Sequence, residues 1–314
     1  MKEIEVIFSS CLQLKKDESV LILIDHNYQE LGNKFKEIAK QTTSKVDILK
    51  IPEAKINGQE PQKNAAKKML EYDVILFLTK KSMTHTNARK NACKNGARIA
   101  SMPSVTTEMI KRCIPVNYEE MNILGTKLAN LLDNGNQVRI IKNDKTDFSF
   151  SIKDRLSKGK NSGIIQNKGD YGNLPDGEVF IAPVEHTAQG YFTIDGSVAG
   201  LGITDAPIKV TVKDGFATEF EGQQTAKLLK QTLQSKGNDA FNIAEFGIGT
   251  NPNAIITGKM LEDEKVKGTI HIAFGNNIGF GGNTNVQLHI DCLIKEPTFY
   301  IDNKLIMKNG IFKN

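Results

Sequence analysis

The hydrophobic pattern of the chain changes character near residue 135. Before that point, short continuous apolar runs alternate with stretches of helical period. Residues 19–25 (Ser-Val-Leu-Ile-Leu-Ile-Asp), 45–51, 73–79 and 97–102 read as buried strands. Residues 28–41, 61–72, 84–95, 106–114 and 117–132 read as helices, with Ser104 as a candidate cap and Asp133-Asn134-Gly135 as a stop. Strands and helices in alternation predict a parallel α/β sheet. From Gln137 the period shortens toward two. Residues 138–141, 147–152, 179–182, 191–196 and 208–212 read as strands, and Asp214-Gly215 predicts a tight hairpin into 216–220. One helix, 223–235, precedes further strands. The expected fold class is α/β: an N-terminal parallel α/β domain, 1–135, followed by a strand-rich α+β domain, 136–314.

The second half also carries the candidate chemistry. His289-Ile290-Asp291 lies in an apolar, β-prone run, and a period-2 strand sends residues 289 and 291 to one face. His271 lies 18 residues earlier in a similar run, Thr-Ile-His-Ile-Ala-Phe-Gly. Glu178 opens a strand after the turn Asn173-Leu-Pro-Asp-Gly177. Glu245 interrupts an apolar strand and is followed by Gly247 and Gly249, which permit close approach of backbone or ligand. Taken singly, a strand glutamate usually meets solvent or a lysine, and a lone histidine is more often a satisfied core residue than a ligand. Together, five such groups in one domain are costly to bury unpaired, and a divalent cation is one way to satisfy them. His26, His85 and His186 read as loop histidines.

Composition narrows the field. The 314 residues include 39% hydrophobic and 25% charged positions, as in an ordinary globular protein. A net charge of +5, from 41 basic and 36 acidic residues, is dispersed and carries no aromatic interleaving, so no nucleic-acid partner is expected. Cys11, Cys93, Cys113 and Cys292 have no zinc-ligand spacing and read as reduced, buried thiols. The first residues lack a signal-peptide pattern and no apolar run approaches the ~18–20 residues of a membrane span, so a cytoplasmic protein with no membrane partner is expected. After the first strand comes Asp25-His-Asn-Tyr-Gln rather than a glycine fingerprint, and GxSxG and HExxH motifs are absent.

The segment 173–183, Glu245 with its glycines, the His271-Ile-Ala-Phe-Gly run and His289-x-Asp291 together resemble the aminopeptidase T metallopeptidases over roughly residues 170–300. The resemblance implies a two-domain homodimer, and Glu178, Glu245, His271, His289 and Asp291 match the family's metal-ligand positions. Glu178 and Glu245 would serve as bridging ligand or general base. The implied function is a metallo-aminopeptidase, a hydrolase acting on small peptides through a water activated by one or two Zn, Co or Mn ions. The chain departs from that pattern in two respects. The site tyrosine of the peptidases has no counterpart in 275–285, and the stretch between the histidines is shorter. The same fold also hosts a 2,5-dihydroxypyridine 5,6-dioxygenase, whose metal is held by two histidines and an aspartate in the pattern of His271, His289 and Asp291. The alternatives are therefore a mononuclear Fe(II) ring-cleaving dioxygenase acting on a small molecule, or a non-catalytic metal-binding relative.

Overall fold

The computed structural model describes residues 2–143, 145–160 and 162–313, which form two compact units. One comprises Met1–Tyr118 with Gly163–Asp176, the other Glu119–Ser162 with Gly177–Asn314. The change of unit thus falls at residue 118 rather than near 135, and the chain returns once to the first unit. Local periodicity reports where a helix ends, whereas unit membership depends on which core that helix packs against. Leu128, Ala129 and Leu132 of the helix Tyr118–Asp133 belong to the second unit's core.

The first unit holds a five-stranded parallel sheet in the order Val46–Lys50, Val20–Ile24, Val74–Leu78, Arg98–Ser101, Tyr171–Asn173. Val20–Ile24 (VLILI) and Val74–Leu78 (VILFL) are buried at every position, as expected of a sheet covered on both faces. The helices Gln29–Ala39, Lys63–Met69, Asn87–Lys94 and Thr107–Cys113 alternate with these strands. Two are capped by threonines: Thr86 accepts from the Arg89 N–H and Thr106 from the Met109 N–H. Two pieces lay outside the sequence pattern: the N-terminal helical segment Lys2–Val6 and Ile7–Cys11, and the short edge strand Tyr171–Asn173.

The second unit is built on two antiparallel sheets, with helices packed against their shared core. The larger has eight strands, with Ile208–Lys213 and Phe216–Glu221 joined by the expected turn. Asp214 (φ 50°) and Gly215 (φ 83°) both adopt the positive φ of a primed hairpin turn. The smaller sheet has six strands in the order Gly202–Ile203, Ser197–Val198, His289–Lys295, Thr269–Gly275, Ile243–Gly249, Glu178–Ile181. Aromatic contacts join the two sheets across the core: Phe150 with Phe246 at 5.5 Å, Phe192 with Phe274 at 6.2 Å and Phe299 with Phe246 at 5.4 Å between ring centroids. Among the described residues no helix is long and apolar enough to cross a membrane. The four cysteines are free and buried.

Candidate metal centre

The six-stranded sheet has two unlike faces. Val179, Ile181, Phe246, Ile248, Ile270, Ile272, Phe274, Ile290, Cys292 and Ile294 all enter the hydrophobic core. Alternation therefore sends the intervening residues to the other face. These include Glu178, Glu245, His271, His289 and Asp291, together with Gly247, Gly249, Ala273 and Gly275. Cross-strand register sets the spacing: Glu245 pairs with Ala273 and Ala273 with Asp291, Gly247 pairs with His271, Gly249 with Glu178, and Gly275 with His289. Each candidate ligand thus stands beside a small residue that leaves it room. One detail breaks simple parity. Ile243 and Glu245 are two apart, yet Ile243 lies in the core. A register irregularity between them turns Glu245 onto the polar face.

The donor atoms fall into two clusters that share Glu245. One holds Glu178, Glu245 and His271, the other Glu245, His289 and Asp291, each with ligand atoms within 4.8 Å of one another. His271 Nε2 lies 3.2 Å from Glu245 Oε1 and 3.4 Å from Glu178 Oε2. His289 Nε2 lies 3.3 Å from Glu245 Oε2 and 3.2 Å from Asp291 Oδ1. His271 is fully buried, whereas the His289 side chain retains 31% exposure and forms the accessible rim.

The electrostatics call for positive charge. Burial works against a charged His271, but the Glu245 and Glu178 carboxylates outweigh it and raise its pKa to about 9. Burial likewise opposes charge on His289, and Asp291 and Glu245 hold its pKa well above the ordinary value. Burial would raise Asp291, but His289 brings it down to about 2. Glu245 is also lowered, because its contacts with His271 and His289 overcome its burial. Either protons or a cation can meet this demand.

Two observations show that the residues fit a divalent cation. The first is the orientation of His289. Its Nδ1 lies 2.8 Å from the Asn276 carbonyl oxygen, which can only accept, so Nδ1 carries a proton. In the neutral ring Nε2 is then the lone-pair nitrogen, turned toward the carboxylates, as in metal-binding histidines held by an outer hydrogen bond. The second is the cradle at Gly247. A Cβ there would lie 1.9 Å from His271 Nε2, so only glycine lets the imidazole lie across the neighbouring strand. Two imidazoles with carboxylates form a donor set suited to iron, zinc or manganese. The site can therefore hold a divalent metal.

The surroundings include groups that sequence reasoning missed. Lys265 is completely buried, with Nζ 2.5 Å from Glu178 Oε1 and 2.6 Å from Glu264 Oε1. Its sequence context, Glu262-Asp263-Glu264-Lys265, has the look of a solvated charged turn and gives no signal of this burial. The loop 276–285 is tied down through Glu185, which accepts from Asn277 Nδ2 and from the Asn283 N–H and pairs with Arg155. That loop carries Phe280, whose ring stands edge-on to Phe180 at 5.5 Å and to His289 at 5.7 Å. His26 and His186 have other partners: His26 faces Glu53, and His186 packs on Phe216.

Comparison with known proteins separates the families that the sequence left open. The family model described as 2,5-dihydroxypyridine 5,6-dioxygenase matches residues 6–314. The chain belongs to that family. It is similar to a 2,5-dihydroxypyridine 5,6-dioxygenase of Pseudomonas putida, at 21% identity over 241 residues that cover 73% of this chain and 68% of the relative. Its fold is also that of the solved 2,5-dihydroxypyridine dioxygenase from Pseudomonas putida, with a TM-score of 0.85 at 17% identity over 99% of this chain and 96% of the other. AmpT from Thermus thermophilus superposes with a TM-score of 0.75 at 16% identity, over 100% and 98% of the two chains, which supports the relation to the aminopeptidase T fold. The expectation of an aminopeptidase, and with it of a hydrolase or protease, is overturned by the family match. The misreading has a physical source. Glu178, Glu245, His271, His289 and Asp291 suit either chemistry, and the feature that differed was the absence of tyrosine between the histidines.

Proposed function

We propose that the protein is a mononuclear Fe(II)-dependent dioxygenase that opens the ring of a small planar diol of the dihydroxypyridine type. The observation that carries this reading is the family match over residues 6–314, in a chain whose buried sheet face gathers two imidazoles and three carboxylates. His271, His289 and Asp291 are the residues that would hold the iron. When bound, Fe(II) supplies redox reactivity toward dioxygen and open coordination positions for a chelating diol.

The chain's own groups account for the rest. The Asn276 carbonyl keeps the proton on His289 Nδ1 and leaves Nε2 facing the site. Glu245, in contact with both imidazoles, is the carboxylate that would accept, on Oε2, a proton from a hydroxyl of the diol. The Phe280 ring beside His289, and the partly buried Phe180 edge-on to Phe280, offer aromatic surface suited to a flat aromatic substrate. The loop 276–285, held by Glu185, shapes the rim of the pocket and limits access of water.

The test is anaerobic loading with Fe(II), followed by oxygen uptake on 2,5-dihydroxypyridine. Uptake matched to loss of the ring chromophore, and abolished in Asp291→Ala, is the expected result. An iron-loaded protein that consumes no oxygen with any pyridine diol or catechol would overturn the reading.

A further inference from the structure

The two donor clusters that meet at Glu245 raise a question of metal count. A carboxylate shared between two sets of ligands is the arrangement by which paired cations are bridged. In this chain one of the two sets already has a positive charge inside the protein. Lys265 Nζ contacts Glu178 Oε1, while the other oxygen of the same carboxylate, Oε2, faces His271 Nε2 at 3.4 Å. Lys265 is 0% exposed, and a buried ammonium is retained only where carboxylates compensate its lost hydration.

We infer that the Lys265 ammonium takes the place of a second divalent cation, holding Glu178 and confining the centre to one metal ion. Three features of the fold converge on this role. First, the backbone is shaped to deliver the lysine. A Cβ at Gly249 would lie 2.1 Å from the Val266 carbonyl oxygen and 2.9 Å from the Lys265 carbonyl carbon, so glycine at 249 admits the Lys265–Val266 backbone against the sheet edge. Gly249 is the register partner of Glu178, the residue that the lysine holds. Second, the lysine is locked in place. Its N–H donates to the Glu262 carbonyl and its own carbonyl accepts from Asn251. The preceding Asp263 is itself buried, accepting from Ser197 Oγ and from the Thr257 and Gly258 N–H groups. Third, the charges balance. Glu178, Glu245 and Asp291 carry three negative charges, and one divalent ion with one ammonium supplies three positive. Glu264 lies on the other side of the ammonium, 2.6 Å from it, and burial raises its pKa, which favours its neutral form. A second dication would leave an excess of positive charge in a buried space, beside an ammonium that cannot move away.

This role rests on the metal-centre reading but not on the oxygen chemistry, and its test separates the two. Chelator-stripped protein is titrated anaerobically with Co2+ alone, and the ions bound per chain are counted by calorimetry and by the cobalt absorption bands. The wild-type protein should take up one ion, and two would overturn the proposal. Lys265→Met removes the charge while keeping the volume, and should raise the count to two. A folded Lys265→Met protein that still binds one ion would also overturn it. Glu178→Gln serves should the methionine variant not fold. If Glu178 serves the ammonium rather than the single ion, the count stays at one with affinity reduced about 10- to 100-fold, the range for groups acting through a ligand. Complete loss of cobalt binding would make Glu178 a ligand of that ion and refute the assignment. No oxygen or ring substrate enters these measurements, so failure of ring cleavage would leave the count, and its meaning, intact.

Discussion

The parallel sheet of the first unit and the six-stranded sheet of the second are buried alike but bury different things. Val20–Ile24 and Val74–Leu78 are inaccessible at every position and apolar on both faces. Ile243–Gly249 and Thr269–Gly275 are also buried at every position, yet one face of each carries Glu245 or His271 among glycines and alanine. In the first sheet, burial and stability point the same way, because each apolar side chain removed from water is favourable. In the second, the polar face gives up that gain and adds the cost of desolvating charge. A sheet that spends its buried surface in this manner is organised around a ligand rather than around stability, and its glycines leave the space the ligand and its donors need.

That contrast can be broken most severely at Gly247. Gly247→Ala would press a methyl group onto His271 Nε2, and loss of metal binding in a folded protein is the expected outcome, measured by elemental analysis and circular dichroism. The opposite pole of the comparison is Leu76, fully buried in the parallel sheet. Leu76→Ala should cost about 2–5 kcal/mol of stability in denaturant titration, with the metal count unchanged.

Acidity gives a finer test, because the polar face of the second sheet gathers two imidazoles and three carboxylates. The raised groups, His271 at about 9, His289, and Glu264 at about 8, contribute stability that is full below their ordinary values and is lost as pH climbs through the raised ones. The depressed groups, Asp291 at about 2 and Glu245, contribute stability that is full above their ordinary values and is lost in acid. Chelated protein should therefore melt highest at about pH 5 and lose melting temperature toward pH 9. Bound metal should flatten the alkaline limb, since it replaces the protons on the histidines. A chelated protein with its greatest stability near pH 9 would contradict this account of the polar face.

The smallest effect is expected at the rim. Glu185→Gln weakens the anchor of the loop 276–285 by removing a charged acceptor from Asn277, Asn283 and Arg155. A loss of about 1–3 kcal/mol of stability is expected, and KM for the ring substrate should rise more than kcat falls. The metal count should stay as it is.

Much of this was legible along the chain. The apolar runs at 19–25 and 73–79 marked the parallel strands because a strand covered on both faces needs no polar position. The spacing of His289 and Asp291 placed them together because a strand repeats every two residues. Gly247 and Gly249 signalled close approach, though not what approaches: a histidine ring at the first and a lysine's backbone at the second. The proposed ring-cleaving chemistry was legible only as an alternative to the aminopeptidase, because the same imidazoles and carboxylates serve more than one metal reaction.

By itself the sequence determined which residues share a face wherever a strand runs regularly, and which face is apolar, since both follow from local backbone geometry. Only the tertiary structure decided how the strands meet. The irregularity before Glu245 turns that carboxylate out of the core, and the register joins it to both histidines. The return of Gly163–Asp176 to the first unit, and the burial of Lys265 against Glu178, were settled in the same way. Those features depend on pairing between residues far apart in the chain, and the short-range periodicity of a sequence carries no record of which distant partner will satisfy a buried charge.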